Sequence, residues 1–302
     1  MRPVAFFIAK IVSVIIKYNK KGTLMAIVLN PISPVAFSVF GVPVRWYALA
    51  YVAGFLFGFW LFRYLVMRDD SQIKMTKNQM DDFLTAIVFG VVVGGRIGYV
   101  LFYNFSYFIT HPLEIFAVWH GGMSFHGGLL GVIIAVILYT SIQKLHDKSK
   151  VCNSLKLFDL LAVVTPVGLG LGRIANFVNM EIMGRPTDSI FGVIFAGGPD
   201  FPRHPSPLYE ATLEGLVLFI IMITLYNKTN LKKYPGALGG ILCMLYAVFR
   251  IFCEQFRQPD LQIGFLTSWG LTMGQLLSFG VFILGFVVLL YARHRQQIKE
   301  TD

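Results

Sequence analysis

The chain has 302 residues, 56% of them hydrophobic and 14% charged, with a mean hydropathy of +0.66, which excludes a soluble globular domain of this size. Its net charge of +10 falls in short lysine and arginine clusters between apolar runs, the pattern of membrane orientation signals and not of a nucleic-acid surface. Three cysteines without CxxC or His/Cys spacing set aside a zinc site and a disulfide framework, so no metal is expected.

In chain order, residues 1–24 carry the apolar patch Ile11–Ile16 flanked by Arg2, Lys10, Lys17, Lys20 and Lys21. The patch is too short to span a bilayer and reads as an interfacial segment or a signal-like run. Met25 opens a more ordinary start, so residues 1–24 read as a start-site extension and 25–302 as a single transmembrane domain. Candidate spans follow at roughly 46–66, 83–103, 121–143, 157–178, 208–226, 236–256 and 269–292.

Arg68, Lys74 and Lys77 follow the first span; Lys144, Lys148, Lys150 and Lys156 the third; Lys228, Lys232 and Lys233 the fifth; and Arg293, Arg295 and Lys299 the seventh. The alternate connections hold only Arg185, Arg203 and Arg257, which puts the C-terminus inside and residue 45 outside. Between the fourth and fifth spans, about residues 179–207, glycines and prolines predict a small cap of turns with a hairpin at Ile190–Ala196. The expected fold is an all-α integral membrane protein with about seven transmembrane helices and this cap on the outer side.

Polar residues are expensive inside such helices and mark function by default. In GRIANFVNMEIMGRP, Gly172–Pro186, Arg173 and Asn176 share a helix face that Asn179 continues. Tyr47, Arg96, Tyr99, His126, Glu210, Glu214, Arg250 and Glu254 all fall toward the same outer leaflet. Asp159 and Arg63, at the inner side, read as solvated structural residues. On the sixth span Tyr246, Arg250, Glu254 and Arg257 recur at helical spacing. Three intramembrane arginines with few acids close in sequence predict spare positive charge, and the guanidinium fork suits a phosphate. His126, between two glycine pairs in GGMSFHGGLLG, is either a packed hydrogen-bonding residue or a general base, since imidazole titrates near neutrality.

The segments GGRIGYVLFYN, GGMSFHGGLLG, GRIANFVNMEIMGRP, HPSPLYEA and YAVFRIFCEQFRQPD together resemble the bacterial prolipoprotein diacylglyceryl transferases, from about Met25 to about Arg295. The resemblance implies transfer of the diacylglyceryl group of phosphatidylglycerol to the lipobox cysteine thiol of a prolipoprotein, with release of glycerol phosphate. It implies a multi-pass protein of the bacterial inner membrane, with a periplasmic N-terminus and cap, a cytoplasmic C-terminus, and substrates that are a bilayer lipid and a signal peptide. No cofactor and no nucleic acid are implied. Matched motif by motif, it implies catalytic roles for His126, Arg173 and Arg250, and lipid-binding roles for Arg173, Arg250, Asn176, Tyr47, Glu181, Gly184, Tyr246 and Glu254.

The chain departs from the family pattern at Ala175 and Met180, where glycine is common, and at Met183, where tryptophan is. The alternative function is a transporter of an anionic or lipid-like substrate, which would want polar residues at mid-membrane and repeated halves. A metal-dependent lipid enzyme would want paired aspartates near the headgroups. The pairs Asp69-Asp70 and Asp81-Asp82 instead lie beside an inner connection.

Overall fold

A computed structural model describes residues 14–18, 24–29, 33–68, 70–71, 73–103, 105–117, 121–146, 153–259 and 264–301. Asp69, Lys148, Lys150, Cys152 and most of the leading extension lie outside the described residues. Among the described residues, seven helices are long and apolar enough to cross a membrane: Trp46–Met67, Lys77–Phe102, Phe125–His146, Ser154–Val178, Ser206–Lys228, Ala237–Glu254 and Met273–Thr301. They are the seven expected spans, with ends set by caps that hydropathy does not see. The second starts at Lys77 because Thr76 and Gln79 form a capping box. The third starts only at Phe125, since Gly121 and Gly122 hold φ of 84° and 80°.

The chain divides into two compact units. Residues 61–160 form one, and its backbone is the crossing of the second and third spans. A Cβ on Gly94 would collide with the Gly127 carbonyl oxygen, and one on Gly98 would lie 2.7 Å from the Gly127 Cα. Glycine is therefore what lets these helices touch backbone to backbone. Phe62 stacks on Phe83 at 5.2 Å between ring centroids, and Tyr139 meets Phe83 edge-on at 5.2 Å. Arg63 pairs with Asp81 at 3.5 Å. Asp159, expected to be solvated, is buried at 4% exposure. Val88, Phe89, Val92, Val93, Ile97 and Leu101 turn an exposed apolar face outward, as a helix surrounded by lipid requires.

The other unit comprises residues 1–60 and 161–302. The fourth and fifth spans cross where a Cβ on Gly215 would sit 2.6 Å from the Gly170 Cα, and the sixth and seventh where a Cβ on Gly240 would sit 2.7 Å from the Gly285 carbonyl oxygen. Before the first span, β3 (Val35–Val39) and β4 (Val42–Arg45) form a hairpin whose turn residues, Phe40 and Gly41, have φ of 49° and 83°.

The cap holds β5 (Val193–Phe195), and here the hairpin expected at Ile190–Ala196 is corrected. This strand pairs in parallel with β2 (Leu24–Leu29), which pairs antiparallel with β1 (Val14–Tyr18). Val14, Ile15 and Ile16 are β-branched and favour extended backbone, so the end of the leading apolar patch is strand and not interfacial helix. Ile27, Phe177, Met180 and Met183 close over Val193 and Phe195 as the cap's core.

Candidate active site

The fifth span is the centre of the site. Its opening turn, Ser206–Glu210, is α-helical, its next seven residues, Ala211–Val217, are π-helical, and Leu218–Lys228 returns to α. A π turn is costly and gathers where function repays it. Here it carries Glu214 and the contact glycine Gly215, while Glu210 stands at its edge. Both glutamates are 0% exposed. A carboxylate taken that far from water is stable only with cations around it.

Those cations come from three segments. Glu210 Oε2 lies 2.7 Å from Arg173 Nε and 3.3 Å from Arg250 Nη1, and its Oε1 lies 3.7 Å from Arg257 Nη1. Glu214 lies 3.6 Å from Arg173 Nη2 and 3.8 Å from Arg250 Nη1. One turn beyond Arg250, Glu254 Oε2 is 2.8 Å from its Nη2. Among the described residues, the carboxylate oxygens of Glu210 and Glu214 accept no aligned hydrogen bond from these arginines. A lattice held by charge, without aligned bonds, can exchange one anionic partner for another at low cost.

The expected spare positive charge is thereby corrected. Three guanidiniums face three carboxylates, two of which, Glu210 and Glu214, come from a span that is remote in sequence from Arg173. Arg96 is not part of this group at all. In the 61–160 unit its Nε donates to the carbonyl of Ile115 at 2.8 Å, its Nη1 to those of Gly121 and Gly122, and its Nη2 to those of Glu114 and Ala117. Its five N–H donors thus meet five carbonyls, and Phe108 lies under the guanidinium at 5.1 Å.

The other expected residues are placed as follows. Asn176 Nδ2 donates to Glu181 Oε2 at 3.0 Å, and Asn179 Nδ2 to Glu181 Oε1 at 3.3 Å, closing the end of the fourth span. Tyr47 and Tyr51 share a hydroxyl contact of 3.1 Å, and Tyr47 is within electrostatic reach of Glu181 and Arg173. Tyr246 feels Glu214 and Arg250 from the sixth span. Gly184 serves through its bare backbone, since a Cβ there would collide with the His204 carbonyl oxygen and lie 2.6 Å from that of Phe256. His126, the second residue of its helix, is exposed and belongs to the 61–160 unit.

A family model described as prolipoprotein diacylglyceryl transferase matches residues 34–291. The chain belongs to the prolipoprotein diacylglyceryl transferase family. This bears out the resemblance carried by the motifs. Relatives named phosphatidylglycerol–prolipoprotein diacylglyceryl transferase include one from Rhodospirillum rubrum, 44% identical over 276 residues, covering 91% of this chain and 97% of the relative. One from Rhodospirillum centenum is 47% identical over 266 residues, covering 86% and 92%. A third, from Rickettsia felis, is 49% identical over 256 residues, covering 84% and 94%.

Within this transferase family the departures acquire a physical meaning. Met180 has φ of 56°, a left-handed conformation that glycine adopts without a Cβ penalty. Met183 packs in the cap core, its sulfur 3.0 Å from where a Cβ on Gly198 would stand. The residues to which sequence reasoning gave no role are Glu210 and Glu214. Their signal was present, two acids four apart opening an apolar helix. Arg257 was legible only as the last rung of a ladder, although it lies beyond the helix end and reaches Glu210 from the loop.

Proposed function

We propose that this chain moves the diacylglyceryl group of phosphatidylglycerol to the lipobox cysteine of prolipoproteins, with the lipid phosphate at Arg173 and Arg250. The observation that carries the site assignment is the ion lattice of Arg173, Arg250, Arg257, Glu210, Glu214 and Glu254 buried among membrane spans. The substrate sulfur attacks the glycerol carbon, the C–O bond to phosphate breaks, and a phosphodiester leaves as a more highly charged monoester. Guanidiniums fixed in advance by carboxylates, in a place that excludes water, stabilise the charge that grows in that step. Asn176, Glu181, Tyr47 and Tyr246 are assigned to the lipid beside them, Glu254 holds Arg250, and Gly184 shapes the wall. His126 is assigned to take the thiol proton.

In this reading the protein sits in the bacterial inner membrane with its cap in the periplasm and its C-terminus in the cytoplasm, and the signal peptide supplies a further apolar helix. Although Val14–Tyr18 add an edge strand to the cap sheet, residues 1–24 are expected to be dispensable, so that a chain starting at Met25 inserts and turns over. Single cysteines at Asp200 and Lys148 are expected to label from opposite sides of the membrane. Labelling of both from the periplasm would overturn the orientation.

The function is tested with purified protein, phosphatidylglycerol and a lipobox signal peptide, with the cysteine-to-serine peptide as control. Thioether product and glycerol phosphate are expected only with cysteine. His126→Asn is expected to slow the reaction at neutral pH and to recover partly toward the ordinary thiol pKa of ~8.5. An unchanged pH profile assigns the proton to another group.

A further inference from the structure

Arg250 reaches the charged centre from the sixth span, and the shortest of its ion pairs is with Glu254, whose Oε2 lies 2.8 Å from its Nη2. Glu254 is itself held from the seventh span. Thr272 Oγ1 donates to Glu254 Oε1 at 3.1 Å. The same hydroxyl accepts the backbone N–H of Gln275 at 3.2 Å, and the Thr272 N–H donates to Gln275 Oε1 at 3.1 Å, so Thr272 also caps the helix Met273–Thr301. Next to it, a Cβ on Gly274 would lie 2.7 Å from Glu254 Oε1 and 2.8 Å from Oε2, so the carboxylate rests directly on the first turn. The positive end of that helix favours a negative charge there. Thr272 is 2% exposed and Glu254 4%, so no water screens the contact.

We propose that Thr272 is a positioning residue of the transfer reaction, its hydroxyl locking Glu254 so that Arg250 is aimed at the lipid phosphate, with Gly274 as the bare backbone that lets the carboxylate seat. This rests on the assignment of Arg250 to the phosphate. Capping alone does not account for the threonine. A cap needs only an acceptor, and aspartate and asparagine serve it as well or better. The donor half of the hydroxyl goes to Glu254, and serine is the other common cap that also carries an O–H.

The test separates the two halves. Thr272→Ser keeps donor and acceptor, Thr272→Asp keeps the cap but replaces the donor by a charge that repels Glu254, and Thr272→Val loses both at constant shape. Gly274→Ala leaves Thr272 intact and displaces the carboxylate. Initial rates with phosphatidylglycerol and a lipobox peptide are taken per mole of monodisperse, detergent-extracted protein. Thr272→Asp, Thr272→Val and Gly274→Ala are each expected to lower kcat roughly ten-fold or more with little change in KM for the lipid, and Thr272→Ser to restore the rate.

Parental kcat in Thr272→Asp means that the threonine only caps its helix, and the proposal falls. If that variant does not fold, parental kcat in Gly274→Ala overturns it equally. Arg250→Ala run alongside keeps the two levels apart. A fully active Arg250→Ala sinks the phosphate assignment, whereas an inactive one beside unchanged Thr272→Asp and Gly274→Ala sinks only the role given to Thr272.

Discussion

Arg96 and Arg173 stand in echoing stretches, GGRIGYV and GLGRIANFV, at the ends of apolar helices, yet their surroundings differ in kind. Arg96 is 5% exposed and spends its donors on five backbone carbonyls of one connecting segment. Arg173 faces the side chains of Glu210 and Glu214 and keeps 20% of its side chain exposed. Carbonyls belong to the fold and cannot be traded without unfolding the segment. Carboxylates can share a guanidinium with another anion. The same residue in an echoing stretch is therefore tied to backbone in one unit and to side-chain carboxylates in the other, and what decides is the acceptor, which for Arg173 lies far away in sequence.

The sharpest way to break this contrast is at Arg173. Lysine keeps the charge but loses the planar fork proposed to bind the lipid phosphate through parallel hydrogen bonds, so Arg173→Lys is expected to be nearly as damaging as Arg173→Ala. A hydrogen bond to a charged group is worth ~1.5–3 kcal/mol, so each one lost lowers the rate roughly ten- to hundred-fold. Transfer should all but vanish while expression and membrane insertion persist. Parental turnover by an inserted Arg173→Ala protein would make this arginine as structural as Arg96.

Arg96→Lys should show the reverse pattern. An ammonium has three donors for five carbonyls, so at least two are orphaned, at roughly 1–3 kcal/mol each. The expected result is a lower melting temperature and faster proteolysis in the 105–117 segment. The protein that remains folded should keep its KM for phosphatidylglycerol. A raised KM at unchanged stability would move Arg96 into the lipid site and erase the distinction.

The contrast also explains what the sequence made legible. Spans and their order follow from hydropathy over about 20 residues, a local quantity, and the glycine-rich runs announced close helix contact. The charge balance did not follow, since Arg173 meets its acids 37 and 41 positions later, across a helix whose π turn leaves no mark in hydropathy. Thr272 was silent for the same reason. A threonine before an apolar helix reads as a cap, and its contact with Glu254 depends on how the sixth and seventh spans cross. The cap strand was misread because its partner, β2, lies more than 160 residues upstream.

The mildest effect is expected in the cap, which adjoins the carboxylate-held arginines. Its backbone ties Gly184 to His204 at 3.0 Å and Arg185 to Phe256 at 2.8 Å, and the Arg185 side chain donates to the Arg257 carbonyl at 2.9 Å. His204 also contacts the Tyr209 hydroxyl at 3.2 Å and packs edge-on to Phe256 at 5.0 Å. Burial holds its imidazole below the ordinary 6.5, so the folded cap prefers the neutral ring. The stability this contributes is complete above about pH 6.5 and is lost as pH falls toward the folded-state value, where the folded cap too must take the proton. Hydrogen exchange between pH 7.5 and 5.5 should therefore show the 184–204 amides losing protection relative to those of the Arg96-held segment. His204→Phe, which keeps a ring against Phe256 and cannot titrate, should flatten that difference. Equal loss of protection in the parent and in His204→Phe would trace the pH response to other groups.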